Sequence, residues 1–297
     1  MKTSGLTGFE AVLAVARHRN FRAAAVELDL STSALSYAVQ ALEAKIGVRL
    51  FNRTTRSVSL SEAGAQFVQS VGPAISAIRD AMDQAGSLRE TPSGTLRINT
   101  SLGAAKQVMP LFTKFLLLYP DMKLDIVTDG RQIDIVGEGF DAGIRLTRSV
   151  PLDMVSVPFR RPQCFAVVGS PSYFASHAKP ATPSDLNAHT CIRLRTPGGA
   201  LEPWEFSRRG KTLRVDVKGM ITLDEPTLML AAVRDGLGLA YLTEFNVASD
   251  LKAGTLQRVL ADWTPCFGDL CLYYPGRRHA PAGLRALVKL VREQAPK

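Results

Sequence analysis

Hydrophobic positions in the first 46 residues recur at helical spacing and predict three short helices. Thr7 and Glu10 form a capping-box pattern at the start of the first helix. Asn20 can cap the second helix, Ser31 can cap the third, and Gly47 is placed to end it. The residues that give the first helix one apolar face are Phe9, Val12, Leu13 and Ala16.

The third predicted helix has one apolar face and an opposite face that is polar but almost free of charge. Its core positions recur every three or four residues: Leu35, Val39, Leu42 and Ile46. Its outward positions carry hydroxyls, a phenol and an amide: Thr32, Ser33, Ser36, Tyr37 and Gln40. Such groups supply the donors and acceptors that distinguish base edges in a DNA major groove. An ordinary solvated face is an equally good interpretation of this helix alone.

A basic segment with strand character follows the third helix. Residues 48–52 and 58–60 can pair as two short strands around a hydroxyl-rich tip. The segment 45–56 carries four Lys or Arg residues and no acid, which suits phosphate oxygens or a narrow minor groove. Helices and basic hairpin together indicate a winged helix-turn-helix. Its candidate DNA-binding residues are Arg22, Thr32, Ser33, Ser36, Tyr37, Gln40, Arg53, Thr54 and Arg56.

A long helix is predicted next, with Ser61 as its cap and an end near residue 88. The Gly72-Pro73 pair should kink or divide it. Its apolar stripe consists of Phe67, Val71, Ile75, Ile78, Met82 and Ala85. Such a stripe usually contacts a partner helix, and packing against its own domain is the alternative.

Strands and helices alternate after the turn-forming segment 90–94, ETPSG. This alternation predicts an α/β fold with parallel sheets covered on both faces. The predicted strands are 95–100, 122–128, 142–146, 155–157, 164–168 and 270–274, and a turn runs into a further strand over 236–242. The predicted helices are 102–118, one ending at 231–235, and 283–293.

The N-terminal domain of LysR-type transcriptional regulators closely resembles residues 21–64 of this chain, FRAAAVELDLSTSALSYAVQALEAKIGVRLFNRTTRSVSLSEAG. The chain departs from that family at Thr32-Ser33, where Gln-Pro is common, and at Tyr37, where a basic or amide side chain is common. Because these positions lie on the outward face of the third helix, the departures concern which operator is bound. The resembling positions are Phe21, Ala24, Ala25, Leu28, Ser31, Ser36, Leu42, Glu43, residues 47–51, Arg53 and residues 61–64.

The resemblance implies a domain organisation and an assembly. It assigns residues 1–64 to the winged helix-turn-helix, 65–90 to a linker and dimerisation helix, and 91–297 to an effector-binding regulatory domain. That domain would resemble type 2 periplasmic binding proteins, with subdomain I formed by 91–163 and 269–297 and subdomain II by 164–268. The family also implies a homodimer, commonly a homotetramer, on a two-fold symmetric operator in double-stranded DNA.

Polar residues at strand ends are the candidates for an effector site, because ligands of such folds bind at the carboxyl ends of strands. Hydroxyls beside free backbone N–H groups at a helix start can bind a carboxylate. Each residue taken alone is more simply a turn or a helix cap. The candidates are Asn99, Thr100, Ser101, Thr128, Asp129, Arg145 and Thr147, with Arg195 and Thr196 expected on the opposite wall.

Composition and charge limit the remaining possibilities. The 297 residues, 46% of them hydrophobic, can form several cores, and no apolar run approaches the ~20 residues that cross a bilayer. With no signal-peptide pattern at the N-terminus, we expect a cytoplasmic protein without a membrane partner. The net charge of +9 lies mostly beyond residue 90, which fits an anionic effector or plain surface charge.

Four cysteines and four histidines offer no metal-ligand spacing, so we expect no metal and no cofactor. The four cysteines, Cys164, Cys191, Cys266 and Cys271, are expected to be buried thiols. A redox switch through Cys266 and Cys271 is the minority alternative.

Two classes of function fit these patterns. The first is a homo-oligomeric, effector-modulated transcriptional regulator. The second is a solute-binding or enzymatic α/β protein whose N-terminal module serves dimerisation. The sequence has no P-loop, nucleophile elbow, zinc-protease motif or dinucleotide fingerprint, which disfavours an enzyme.

Overall fold

The computed structural model describes residues 7–53, 58–86, 91–264, 266–276 and 280–294, without the side chains of 76, 77 and 79–86. The N-terminal part begins with α1 (Thr7–His18), α2 (Phe21–Glu27) and α3 (Thr32–Ile46). Asn20 caps α2 by accepting from the N–H of Arg22 at 2.8 Å, and Ser31 caps α3 by accepting from the N–H of Ala34 at 3.1 Å. Thr7 already lies inside α1, so its predicted role as the cap is wrong.

The three helices enclose a small apolar core. Leu35 and Val39 of α3 are fully buried there against α1 and α2, as predicted. Ile46 is 38% exposed, so its predicted core position is wrong. It lies in the last turn of α3, beyond Leu42, which is the last α3 residue in the core. Gly47 then ends the helix in a left-handed conformation with φ of 73°.

A two-stranded wing follows, formed by β1 (Phe51–Arg53) and β2 (Val58–Leu60) in antiparallel pairing. β1 begins later than the predicted residue 48, because the N–H of Val48 still donates to the carbonyl of Glu43 in α3. The Glu43 carboxylate also accepts from the N–H groups of Leu50 and Phe51, at 2.7 Å and 3.2 Å. These bonds fix the wing against α3. The predicted tip, with Thr54 and Arg56, lies outside the described residues.

The long helix α4 (Glu62–Gly86) is capped by Ser61 and runs through Pro73 without interruption, so the predicted division at Gly72-Pro73 is not present. The predicted end at residue 88 lies outside the described residues. The first turns of α4 pack on their own domain, where Phe67 stacks on Phe9 with ring centroids 6.1 Å apart. Further along the stripe, Ile75 is buried whereas Ile78 is 41% exposed. The alternative of packing on its own domain therefore holds for the first half of the helix.

The larger part of the chain contains a nine-stranded mixed sheet. Its first half has three parallel strands and its second half has three more, with two long antiparallel strands between them. The strands of the first half are β3 (Gly94–Thr100), β4 (Met122–Thr128) and β5 (Ala142–Leu146), and those of the second half are β7 (Cys191–Leu194), β10 (Thr222–Leu223) and β11 (Leu239–Thr243). A short strand, β12 (Gln257–Val259), and a separate hairpin, β8 (Trp204–Arg208) with β9 (Lys211–Val215), belong to the second half.

The two long strands, β6 (Met154–Gly169) and β13 (Cys266–Pro275), connect the halves, and we call them the crossing strands. The prediction of two separate strands at 155–157 and 164–168 is wrong, because they form the two ends of β6. Pro158 and Pro162 interrupt the apolar pattern between them, yet the pairing with β13 continues past both. Parallel sheets are thus present, joined by an antiparallel centre that alternation did not predict.

Helices cover the sheet and complete its cores. α5 (Leu102–Leu118) begins and ends at the predicted residues, and α9 (Ala282–Gln294) packs beside it against the first half. The remaining helices are α6 (Pro171–Phe174), α7 (Pro226–Arg234) and α8 (Glu244–Ala253), with 3₁₀ turns at Thr147–Ser149, Pro183–Ala188 and Ala261–Trp263. No helix among the described residues is long and apolar enough to cross a membrane.

The cysteines divide into two kinds. Cys191 and Cys271 are buried thiols, as expected, and burial raises the pKa of Cys191 to about 12. Cys164 and Cys266 form a disulfide between the two crossing strands, so the expectation of four thiols is wrong for this pair. Cys266 therefore does not pair with Cys271. Residues 266 and 271 lie five positions apart on one strand, and side chains at an odd separation point to opposite faces of a regular strand. Cys164 instead lies directly opposite Cys266 on the neighbouring strand.

Candidate functional site

The outward face of α3 forms an exposed polar surface on the N-terminal domain. Burial of Leu35 and Val39 turns the opposite side of the helix to solvent. The side chain of Tyr37 is 74% exposed there, and the Ser33 hydroxyl lies 3.0 Å from that of the cap Ser31. Thr32 and Gln40 are exposed on the same face. The predicted reading face is therefore mostly exposed, with Ser36 half-buried in its middle.

Arg53 joins the wing to this face. Its Nη1 donates to the Ser36 hydroxyl at 3.3 Å, and its Nη2 lies 3.6 Å from the Glu43 carboxylate. The guanidinium also lies over the ring of Phe21, 4.3 Å from the centroid. Arg22 is exposed at the start of α2. A surface of uncharged donors and acceptors, bordered by arginines, can accept both base edges and phosphates.

The predicted effector residues of the first half converge on a buried arginine at the strand ends. Arg145, only 8% exposed, donates to the side-chain oxygen of Asn99 and to the carbonyl of Asp129 at 2.8 Å. Burial lowers the pKa of Arg145, whereas the hydrogen bond from Arg131 holds the pKa of Asp129 below its usual value. Asn99 Nδ2 and Arg145 Nε are buried without a hydrogen-bond acceptor among the described residues.

The predicted hydroxyls of this half are already engaged within the protein. Thr100 is fully buried and donates to the Ser101 carbonyl at 3.3 Å, while the Ser101 hydroxyl caps α5. Thr147 donates to the carbonyl of Asp269 at 3.0 Å. Thr128 is exposed at the end of β4. The structure thus gathers these residues at one edge but turns most of their polar atoms inward.

The opposite wall closely approaches this edge. Arg195 donates to the Gly199 carbonyl and Thr196 to the Ala200 carbonyl, each at 3.1 Å. Pro197, next to Thr196, lies so close to Gly130 that an added Cβ there would come within 2.8 Å of the proline ring. The loops after β4 and β7 are therefore in contact. The predicted residues of the two halves meet at this closed edge of the cleft.

A cavity of about 170 Å³ lies between the halves, and sequence reasoning did not find it. Three aromatic rings form its apolar wall: Phe165 stacks on Tyr241 at 4.8 Å between centroids and meets Phe267 edge-on at 5.5 Å. The other residues that line it are Arg148, Glu202, Pro203, Glu205 and Arg214. The eight lining residues come from six separate stretches of chain, so no local motif could have indicated them.

The charges in this cavity are unevenly paired. Glu205 accepts from Arg148 at 3.2 Å and from Arg214 at 2.7 Å. Glu202 has no hydrogen bond or ion pair to any side chain that the structure describes, and burial raises the pKa of its carboxyl. The cavity therefore presents one free carboxylate beside aromatic rings, with two arginines held by Glu205.

Two family descriptions match almost the whole chain. Residues 6–65 match the bacterial regulatory helix-turn-helix protein of the lysR family, and residues 89–296 match the LysR substrate binding domain. The chain belongs to the LysR-type transcriptional regulators. The resemblance inferred from residues 21–64 is thereby confirmed. The predicted fold is also confirmed: a winged helix-turn-helix is followed by a two-subdomain α/β regulatory domain.

Individual relatives and solved structures agree with this family. The chain is 41% identical to the uncharacterised HTH-type transcriptional regulator YcaN of Escherichia coli, over 97% of this chain and 94% of the relative. The structure of CrgA from Neisseria meningitidis superposes with a TM-score of 0.60 at 26% identity, covering 100% of both chains. Full-length AphB, the Vibrio cholerae virulence activator, does so with a TM-score of 0.67 at 21% identity, covering 98% of this chain and 99% of that one.

Membership of this family decides between the two classes of function. LysR-type regulators bind DNA and small-molecule effectors and are oligomeric, so this chain is a transcriptional regulator whose activity an effector modulates. It is not an enzyme, and the alternative of an enzymatic or solute-binding protein is set aside.

Proposed function

We propose that α3 reads the operator and that the wing and α2 hold the sugar-phosphate backbone. The supporting observation is the continuous surface on which the uncharged face of α3 meets Arg53. The proposed base-reading residues are Thr32, Ser33, Ser36, Tyr37 and Gln40, and the proposed phosphate contacts are Arg22, Arg53, Thr54 and Arg56. We assign the protein to the cytoplasm, where it meets chromosomal DNA.

We further propose a homodimer, assembled into a tetramer, on a two-fold symmetric operator. The exposed continuation of the α4 stripe at Ile78 supports a helix-to-helix contact between subunits. A dimer would place its two α3 helices about one DNA turn apart, or a multiple of it. Hydroxyl-radical footprinting on the DNA upstream of the protein's own gene tests this spacing. Half-sites with no common two-fold axis would refute the assembly.

We propose the domain boundaries that the resemblance implied: 1–64, 65–90 and 91–297, with subdomain I as 91–163 and 269–297 and subdomain II as 164–268. The course of β6 and β13 supports the exchange between subdomains, since each crossing strand contributes to both halves. We propose that the effector binds between these subdomains.

An anionic effector is the class that the strand-end residues favour. Asn99 Nδ2 and Arg145 Nε are buried donors that have no acceptor among the described residues. A carboxylate that enters as the loops separate would supply acceptors for both. The proposed contacts are Asn99, Thr100, Ser101, Thr128, Asp129, Arg145 and Thr147, with Arg195 and Thr196 across the cleft.

A thermal-shift screen with a panel of small aromatic and aliphatic carboxylates tests this proposal, because a ligand that binds only the folded state raises its Tm. Thr100→Val should abolish the dose response to a carboxylate that stabilises the wild type. Thr113→Val, at an exposed position of α5, is the matched control and should leave the response unchanged. Equal responses of the two variants would remove Thr100 from the site.

A further inference from the structure

The Cys164–Cys266 disulfide joins the crossing strands at the point where their backbone pairing is least regular. The two cysteines are opposite partners in the β6–β13 ladder, 102 residues apart in the chain. The next pairs are Asp269 with Pro162 and Cys271 with Pro158, with register shifts on both sides of Asp269. A proline has no N–H to donate, so this stretch has fewer interstrand hydrogen bonds than a regular ladder.

The backbone itself departs from strand geometry in the same stretch. Arg160 has a φ of +51° between the two prolines of β6, and Gly268 has a φ of +54° on β13. Both values lie in the left-handed region that strand residues avoid. The regular register resumes at Cys271 and continues to Pro275. The covalent bond is therefore the firmest connection between the crossing strands at their second-half end.

The same bond lies one residue from the cavity between the halves. Phe165 and Phe267 directly follow the two cysteines and form part of the aromatic wall. Arg148, from the 3₁₀ turn after β5, lies over the ring of Phe267 at 5.2 Å. Because successive strand residues point to opposite faces, the disulfide lies behind this wall. Opening the disulfide would free the strand segments that carry both rings.

The four cysteines differ in their access to solvent. Cys266 is exposed and Cys164 is half-buried, whereas Cys191 and Cys271 are buried. A regulator that binds chromosomal DNA works where glutathione and thioredoxin keep most thiols reduced. A solvent-accessible disulfide in that compartment is more commonly regulatory than structural.

We propose that Cys164 and Cys266 are a reversible redox couple that fastens the crossing strands when oxidised. The exposed Cys266 thiolate attacks a small-molecule disulfide such as oxidised glutathione, forming a mixed disulfide and releasing one glutathione thiolate. Cys164, as thiolate after losing its proton to water, then attacks the Cys266 sulfur and releases the second. The two protein sulfurs are oxidised to the disulfide, and one oxidised glutathione is reduced to two thiols.

Equilibration of the full-length protein in glutathione buffers of increasing oxidised-to-reduced ratio tests the couple. After acid quench, denaturation and alkylation, the intact mass counts the free thiols. We expect four alkylated cysteines at the reducing end, two at the oxidising end and a single transition between them. Four at every ratio would show that the bond does not form, and two at every ratio would show a permanent structural disulfide. Either result would overturn the proposal.

Hydrogen exchange tests the fastening role on the same samples. The backbone amides of residues 266–271 should exchange about tenfold faster after reduction. A change of this size corresponds to losing one interaction about as strong as a hydrogen bond. Cys164→Ser should exchange like the reduced wild type at every glutathione ratio. Cys191→Ala, a buried thiol outside the couple, should retain the redox response. Exchange that is identical in oxidised and reduced protein would refute the fastening role.

Discussion

Replacing Arg53 with alanine should weaken binding to all DNA sequences and lower the salt dependence of binding. Two of the five donors of Arg53 face Ser36 and Glu43, and the others have no hydrogen-bond partner in the part of the chain that the structure describes, so they can meet a phosphate oxygen. The domain should stay folded without this side chain. The stacking over Phe21 stabilises by about 0.5–1 kcal/mol, and an ion pair at 3.6 Å adds at most about 1 kcal/mol.

The expected change in salt dependence follows from counterion release. Each phosphate neutralised contributes about −0.9 to the slope of log K against log salt. An Arg53→Ala dimer lacks two such contacts, so its slope should be less steep than that of the wild type by about 1.8. Between 50 and 200 mM salt, the ratio of wild-type to variant affinity should therefore shrink by about 12-fold.

Fluorescence anisotropy with specific and random duplexes over this salt range measures both slopes. Lys252→Ala, at an exposed position of α8, removes the same charge from the regulatory domain and should leave the slope unchanged. An unchanged slope for Arg53→Ala, combined with relaxed preference at one base pair, would refute the phosphate contact. Arg53 would then read a base or position Ser36.

Three further predictions concern the reading face, the N-terminal core and the cavity. Gln40→Ala should cost about 1–3 kcal/mol on the preferred operator and little on random DNA, and equal losses on both would contradict a direct base contact. Leu35→Ala, at a fully buried position, should destabilise the N-terminal domain by about 2–5 kcal/mol in urea unfolding; a loss below 1 kcal/mol would contradict its core role. Burial raises the pKa of Glu202 above its ordinary 4.5, so stability should fall as pH rises through that raised pKa. Glu202→Gln should therefore raise Tm at pH 7 but not below pH 4.5, whereas Glu293→Gln, at an exposed position, should show no such pattern; equal effects at both pH values would refute the burial argument.

Elements with a clear period and a clear boundary could be predicted from the sequence. The bounds of α5 and β4 were predicted to the residue, because helical spacing changes to alternation at Tyr119-Pro120. The exposed polar face of α3 was predictable for the same reason, since one helix supplies all its residues. Ile46 shows the limit of periodicity, which indicates a face but not how far the neighbouring helices extend along it.

Features formed by distant segments could not be predicted in this way. The continuity of β6 depends on its pairing with β13 across two prolines. The Cys164–Cys266 pair depends on the register of strands about a hundred residues apart. The cavity joins single residues from separate strands and loops. The strand-end residues were correctly placed at one edge, but burial of Asn99 and Thr100 depends on packing that no local pattern shows.

Selection of bound duplexes from a random-sequence pool tests most directly the claim that α3 reads DNA sequence. The wild type should enrich one motif with two-fold symmetry. A Ser33→Ala, Tyr37→Ala, Gln40→Ala variant should lose that motif while keeping salt-dependent binding to random DNA. Enrichment of the same motif by both proteins would contradict the account, because sequence would then be read by another surface.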